Sequence, residues 1–335
     1  MSGLRATTPR WLAPGLGALI AALFVASLLV GPAGLGLTET ARALLLGQGE
    51  AAVLVMREIR LPRALLAVLV GAALGMAGAA MQGYLRNPLA EPGLIGVSGA
   101  AALGAVVSLQ TGLAAAHALA LPGAALAGAL GAVALILALA GPRGGSLTLI
   151  LAGIAVSALA GALTALVLNL SPNPFAATEI VFWTMGSLAD RSFTHVWLAA
   201  PLIGLGCALM LSLGRGLDAL TLGEDAAAAL GVEMTRLRLG LILGVALAVG
   251  AATAVAGAIG FVGLVVPHLL RRIVGARPAP LLWASAMGGA VLVLAADIAV
   301  RLILPQSDLK LGVVMALIGA PIFLHLIYRM RGEMR

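Results

Sequence analysis

Arginines with a spacing suited to carboxylate recognition stand out first in this sequence. The run Arg57-Glu-Ile-Arg-Leu-Pro-Arg63 places three arginines directly before a long apolar stretch. A guanidinium group is a planar fork that binds a carboxylate through two parallel hydrogen bonds. The run therefore predicts a docking patch for an acidic partner. The alternative is a cluster of arginines that reach toward the membrane interface without a partner.

Asp297 and Arg301 form a second candidate pair. They are four residues apart, so a helix would place both on one face. We expect the carboxylate to lie near the outer end of its segment and to fix the direction of the Arg301 side chain.

A polar interruption at 215–237 has the pattern of a short helix offered to another protein. Thr221 is the predicted N-cap, and Glu224 and Asp225 fall in the first turn, where the helix dipole favours negative charge. An alanine-rich run follows, and Gly231 is the predicted stop. The functional interpretation is a lever that another protein pushes. Composition alone is also compatible with an ordinary loop between two membrane segments.

Catalytic and metal-binding patterns are missing from the sequence. It contains no G-x-x-x-x-G-K-[ST] run, its one lysine is Lys310, and Cys207 is its one cysteine. His117, His195, His268 and His325 do not have the H-E-x-x-H spacing. We therefore expect no catalytic residue, no metal ligand and no ATPase site in this chain. A membrane-embedded enzyme and an ion-coupled secondary carrier remain as alternatives, although a carrier needs charges inside its spans.

Composition sets the class of protein that must hold these residues. Of 335 residues, 61% are hydrophobic and 10% are charged, with a mean hydropathy of +1.11. Soluble chains carry about 25% charged residues, so the sequence predicts an all-α integral membrane protein. The net charge of +7 comes largely from arginines at the ends of apolar runs, which favours membrane-flanking charge and argues against nucleic acid as a partner.

The apolar runs predict about ten membrane-spanning helices in one domain, residues 1–335. We place them at about 11–30, 64–82, 93–109, 118–140, 147–168, 195–213, 238–256, 258–273, 281–300 and 312–328. The first run is longer than a signal-peptide core, so we expect it to be retained as a helix. With both termini inside, 13 of the 20 lysines and arginines lie inside and seven outside, as the positive-inside rule favours. The segment 215–237 then faces the cytoplasm, and the run 57–63 faces outward.

Several stretches resemble the FecCD-type permeases, the membrane subunits of type II ABC importers for iron-siderophores, haem and cobalamin. They are RLPRALLAVLVGAALGMAGAAMQGYLRNPLAEPGLIGVSGAAALGA, LTLGEDAAAALGV, AGAIGFVGLVVPHLLRRIVG, LAADIAVRLIL and LGVVMALIGAPIFLHLI. The resemblance runs over essentially the whole chain, in order and with matching spacing.

The resemblance implies a homodimer of ten-helix subunits around one central translocation pathway in the bacterial inner membrane. It also implies two cytoplasmic ABC ATPase subunits, which bind ATP and Mg²⁺, and a periplasmic substrate-binding protein. No cofactor is expected in this chain itself. The family pattern assigns binding-protein docking to Arg60, Arg63 and Arg301. Arg57 lies outside that pattern and is a lesser candidate. It assigns ATPase coupling to Leu222, Gly223, Glu224, Asp225, Ala228, Leu230 and Gly231.

The resemblance also implies an inner gate at Asn87, Leu89 and the neighbourhood of Ser146. We expect an outer gate in the segment 175–188. The remaining polar candidates for the pathway wall are Gln82, Ser98 and Thr184, and Gln82 and Asn87 have the alternative role of capping a helix end. An iron complex, siderophore or haem, is the expected cargo, with cobalamin as the alternative.

Overall fold

The computed structural model describes residues 8–117, 119–141, 145–171, 174–303 and 309–333, and all regular secondary structure in these ranges is helical. The side chains of Ser146 and Phe175, both named above, lie outside the described residues. The same holds for Arg5, Arg143, Arg329, Arg331 and Arg335, which enter the predicted charge count.

Helices of ten residues or more within the described ranges are numbered here in chain order. They are α1 Leu12–Leu29, α2 Leu61–Leu85, α3 Val97–Gln110, α4 Ala120–Ala140, α5 Ser146–Asn169, α6 Pro174–Thr184, α7 Phe193–Ser212, α8 Met234–Ala256, α9 Val262–Arg271, α10 Pro278–Ile303 and α11 Leu311–Glu333. Shorter helical pieces are Leu37–Ala41, Arg42–Leu46, Glu50–Leu54, Val55–Arg60, Pro92–Ile95, Leu113–Ala116, Gly214–Leu220 and Glu224–Ala229.

Eight helices in the described part of the chain are long and apolar enough to cross a bilayer. They coincide with eight of the ten predicted spans. The segments predicted at 93–109 and 258–273 differ, because their helices α3 and α9 have only 14 and 10 residues. At about 1.5 Å per residue, neither crosses about 30 Å of hydrocarbon alone. The connection before α3 contains the 3-10 turn Pro92–Ile95, and the connection before α9, at 257–260, is not helical.

The arginine run lies within a helix and not in front of one. Helical structure is continuous from Glu50 to Leu85, 36 residues, whereas the sequence predicted a start near residue 64. Val55–Arg60 is a π-helical turn that ends two residues before Pro62, which has no N–H to donate to the preceding turn. The 36 residues of the continuous helical stretch, about 54 Å at about 1.5 Å per residue, exceed the roughly 30 Å of hydrocarbon that a spanning helix must cross.

Close contact between α2 and α10 forms the centre of the helix bundle. A Cβ atom built on Gly75 would lie 2.0 Å from the carbonyl oxygen of Ser285, and one on Gly71 would lie 2.3 Å from that of Gly289. Gly78 of α2 meets the backbone of Gly263 in α9 in the same way. In lipid, where burial of apolar surface gives little drive, such small residues let backbones approach and gain dispersion contacts.

We predict that Gly75→Val destabilises the bundle strongly, because backbone atoms of Ser285 occupy the space that the new side chain needs. Overpacking of this kind costs about 1–3 kcal/mol or more. The measurement is the melting temperature of the purified chain in detergent. The matched control is Gly161→Val in α5, where nothing lies within 4 Å of the added Cβ atom. Equal melting temperatures for the two variants would contradict the packing described here.

Candidate functional site

Four charged residues form one group, here called the arginine cluster: Arg60 and Arg63 from the continuous helical stretch Glu50–Leu85, and Asp297 and Arg301 from α10. The Asp297 carboxylate is fully buried. Its Oδ1 lies 2.8 Å from Arg63 Nη2, and its Oδ2 lies 2.8 Å from Arg301 Nη2. Arg63 Nε also donates to Oδ1 at 2.9 Å. The predicted pairing of Asp297 with Arg301 is thus present, and Arg63 from α2 is a second partner that joins the two helices.

The end of α1 is held by two arginines of the cluster. Arg60 Nη1 donates to the carbonyl oxygens of Leu28 at 2.7 Å and Leu29 at 3.1 Å. Arg301 Nη1 donates to the carbonyls of Ser27 and Val30, and its Nη2 donates to the Ser27 hydroxyl. The last carbonyls of a helix lack intrahelical donors and carry partial negative charge, so cations stabilise them.

Access to solvent differs among the three predicted docking arginines. Arg60 is 4% exposed, the Arg301 side chain is 9% exposed and the Arg63 side chain is 18% exposed. Arg57 is exposed and donates to the Leu44 carbonyl at 3.0 Å. Arg60 keeps one buried nitrogen, Nη2, without a hydrogen-bond partner. Arg60 and Arg63 therefore make directed contacts, unlike arginines that reach freely to an interface, and their role in docking stays a prediction.

A short helix, Glu224–Ala229, lies at the opposite end of the α2–α10 pair from the arginine cluster. We call it the presented helix. Glu224 and Asp225 occupy its first turn, as predicted, and Gly231 follows it with a φ of 86°, a left-handed conformation that ends a helix. Ala227 is the buried residue of this helix, while Leu222 just before it is 68% exposed and Leu230 just after it is 66% exposed. The helix thus offers two apolar side chains flanking two carboxylates.

The predicted N-cap of the presented helix is wrong. The N-cap residue is Gly223, with a φ of 108°, and no side chain caps it. The Thr221 hydroxyl donates instead to the carbonyl oxygen of Asp218 at 2.7 Å, within the preceding short helix Gly214–Leu220. The threonine had a competing local acceptor three residues earlier, and threonine hydroxyls often bond in this way at a helix end.

Gln82, predicted to face the pathway, is buried between α2 and α9. Its Nε2 donates to the Gly263 carbonyl at 3.3 Å, and its Oε1 accepts from Arg271 Nη2 at 2.5 Å. The side chain bridges two helices and does not cap the end of its own helix. Its contribution to the pathway stays a prediction.

Asn87 and Leu89, predicted at the inner gate, lie in the connection between α2 and α3, and Thr184 of the predicted outer gate is the last residue of α6. Asn87 is exposed, and its Oδ1 accepts from the Leu89 N–H at 2.9 Å, which forms a tight turn. Leu89 packs against Leu264, Val265 and Leu326. Thr184 is half-buried, and its hydroxyl donates to the Val181 carbonyl within α6. None of these contacts tests a gating role, which stays a prediction.

Glu91 was not singled out in the sequence, although it is an acid between two apolar runs. It borders a cavity of about 170 Å³ that is also lined by Leu74, Ser98, Gly260 and Gly263. Its Oε1 accepts from the Phe261 N–H at 2.6 Å, just before α9 begins. Burial raises the pKa of the Glu91 carboxyl above its ordinary value, and the hydrogen bond from Phe261 partly offsets this. Ser98, a predicted pathway residue, thus shares a cavity with a carboxyl.

The profile of the FecCD transport family matches residues 19–329. The hemin transport system permease protein HmuU of Yersinia pestis is 42% identical over 280 residues, which cover 82% of this chain and 83% of HmuU. The vitamin B12 import system permease protein BtuC of Vibrio cholerae is 42% identical over 273 residues, 81% of this chain and 82% of BtuC.

One solved structure matches nearly the whole chain. It is described as an inward-facing conformation of an ABC transporter of the metal-chelate type, with a TM-score of 0.85 and 33% sequence identity. The match covers 96% of this chain and 99% of the solved one. Fold and sequence thus agree on the same class of protein.

Proposed function

Because the chain belongs to the FecCD transport family, we propose that the two ends of its helix bundle have different tasks in an importer. It is a multi-pass membrane permease subunit of an ABC importer. One observation carries the proposal: the arginine cluster and the presented helix lie at opposite ends of the tightly joined helices α2 and α10.

The arginine cluster faces the periplasm in this proposal and receives acidic side chains of a substrate-binding protein. Arg63 is the member that a carboxylate reaches first, because it retains exposed surface beside Asp297. Arg60 has an unpartnered Nη2 beneath the surface, which can become a second donor once a carboxylate approaches. Two copies of this chain in a homodimer would offer two such sites, which fixes the orientation of the binding protein.

The presented helix faces the cytoplasm in this proposal and seats in a groove of an ABC ATPase subunit. Two exposed leucines at its ends supply apolar anchors of the kind that short helices lay into partner grooves. Glu224 and Asp225 add charge that sets orientation. ATP and Mg²⁺ are bound by the two ATPase subunits, and their movement reaches this chain through the helix.

In this proposal, the inner gate and the outer gate of the pathway open alternately. We place the inner gate at Asn87, Leu89 and the α5 N-terminus near Ser146, and the outer gate in the segment 175–188, which includes Thr184. Leu89 is held by α9 and α11, so movement of those helices would displace it. Gln82 and Ser98 complete the proposed wall.

The proposed cargo is an iron complex, a siderophore or haem, with cobalamin as the second candidate. The named relatives include transporters of hemin and of vitamin B12 at equal identity, so likeness alone does not separate these cargos. The experiment is direct binding of haem, ferric siderophores and cobalamin to the cognate binding protein. Tight binding of cobalamin alone would replace the iron proposal.

We predict that Glu224→Arg releases the ATPase, because it reverses the charge in the first turn and disfavours the helix there. The measurement is the ratio of ATPase to permease after affinity purification in detergent, and we expect at least a fivefold loss. The control is Glu233→Arg, outside the presented helix, which should keep the wild-type ratio. Full retention of ATPase by Glu224→Arg would contradict the coupling role. A wild-type chain without any ATPase would instead favour a secondary carrier.

A further inference from the structure

Asp218 fastens the cytoplasmic segment to the first turn of α10. It lies on the short helix Gly214–Leu220, and its Oδ1 accepts from the Ala279 N–H at 2.8 Å. Its Oδ2 lies 2.6 Å from Arg277 Nη2. Because α10 begins at Pro278, the Ala279 N–H is among the first N–H groups of the helix, which have no intrahelical acceptor. Asp218 thus caps α10 from a different helix.

Packing around this cap leaves little freedom between the elements. A Cβ atom on Gly214 would lie 3.1 Å from the Cβ atom of Ala279. One on Gly83, near the end of α2, would lie 3.3 Å from Pro278 and 3.9 Å from Leu217. The helix Gly214–Leu220 therefore rests on the end of α2 and on the start of α10, and it leads directly into the presented helix.

The rest of α10 forms a stiff connection from this cap to the arginine cluster. It is one helix of 26 residues, about 39 Å long at 1.5 Å per residue, and it carries Asp297 and Arg301 in its last two turns. Backbone contact at Gly289 joins it to α2, which carries Arg63 in its first turn and is directly preceded by Arg60. Because the helix is stiff and joined to α2, a displacement of its first turn would be carried along it to the arginine cluster.

We propose that Asp218 is a positioning residue that transmits movement between the presented helix and the arginine cluster through the N-terminus of α10. The proposal rests on the function proposed above. The cap on Ala279 carries the role and the pair with Arg277 does not, because the Arg277 side chain is 66% exposed and a surface pair of this kind is weak.

The test uses the complete complex of permease, ATPase and binding protein in proteoliposomes. The readout is the factor by which loaded binding protein stimulates ATP hydrolysis. Asp218→Ala should reduce this factor at least fivefold. Asp218→Asn keeps an oxygen that accepts from Ala279, and Arg277→Ala removes only the ion pair, so both should stay within twofold of wild type. Wild-type stimulation in Asp218→Ala overturns the proposal, and an equal loss in Arg277→Ala overturns the assignment to the cap.

A second measurement needs no variant and remains decisive if Asp218→Ala does not assemble. Hydrogen exchange of the wild-type complex should change in residues 278–284 when ATP binds, together with residues 222–231. A change confined to 222–231 overturns the proposal. A wild-type complex that the binding protein does not stimulate counts against the proposed function itself, whereas stimulation of wild type and Asp218→Ala alike counts against Asp218 alone.

Discussion

Asp297→Ala is expected to destabilise the folded chain by about 3–5 kcal/mol, the usual cost of removing one partner from a buried ion pair. The carboxylate is fully buried and lies 2.8 Å from a nitrogen of Arg63 and of Arg301. Its loss leaves two guanidinium groups facing each other with little access to water. Arg301 would then hold the end of α1 less firmly, because Asp297 fixes its direction. The measurement is the melting temperature in detergent.

Two further variants serve as comparisons for the stability of Asp297→Ala. Asp297→Asn keeps oxygen and shape while it removes the charge, so its stability should fall between wild type and Asp297→Ala. Glu233→Ala breaks the pair with Arg236, whose side chains are both largely exposed, and should cost less than about 1 kcal/mol. If Asp297→Ala melts within a degree of Glu233→Ala, the cluster does not contribute to stability as described.

Arg63→Gln is expected to weaken binding of the loaded substrate-binding protein at least tenfold. Close charge pairs at interfaces contribute about 1.5–7 kcal/mol, and a tenfold change corresponds to about 1.4 kcal/mol. Arg63 is the most exposed of the three predicted docking arginines. Its substitution should therefore reduce the affinity for the binding protein more than substitution of any residue that acts only through folding. The measurement is the dissociation constant of binding protein on permease in nanodiscs, at two salt concentrations.

The control for Arg63→Gln is Arg42→Gln. Arg42 is an exposed arginine in the connection between α1 and α2 and lies outside the arginine cluster. Its removal should change the affinity less than twofold at physiological salt, because exposed charges are screened. Melting temperatures of both variants separate a docking defect from instability. A stable Arg63→Gln variant with wild-type affinity would remove Arg63 from the docking surface.

Local pattern was enough to predict much of this molecule. Apolar length predicted about ten spans, of which eight coincide with long apolar helices in the described part of the chain, and four-residue spacing predicted the pair Asp297–Arg301. The left-handed position after the presented helix selects glycine, and Gly231 occupies it. Each of these features depends on residues that are neighbours in sequence or on one helix, where propensity and periodicity act directly.

Contacts between distant segments could not be predicted in the same way. Nothing near Arg60 in the sequence indicates that its guanidinium holds the carbonyls at the end of α1. The sequence likewise did not indicate that Gly263 and Arg271 of α9 supply the hydrogen-bond partners of the Gln82 side chain. The acid Glu91 could have been noticed, since a carboxyl between apolar runs needs a partner, yet that partner, the Phe261 N–H, is known only from the fold.

Sidedness is the claim on which the account depends, and cysteine labelling tests it most directly. Single cysteines replace Arg57, exposed next to the arginine cluster, and Ala228, exposed on the presented helix, in a chain whose Cys207 is changed to alanine. A membrane-impermeant thiol reagent is then added to intact spheroplasts. We predict labelling at position 57 and none at position 228 until the membrane is permeabilised. Labelling at 228 and protection at 57 in intact cells would contradict the account.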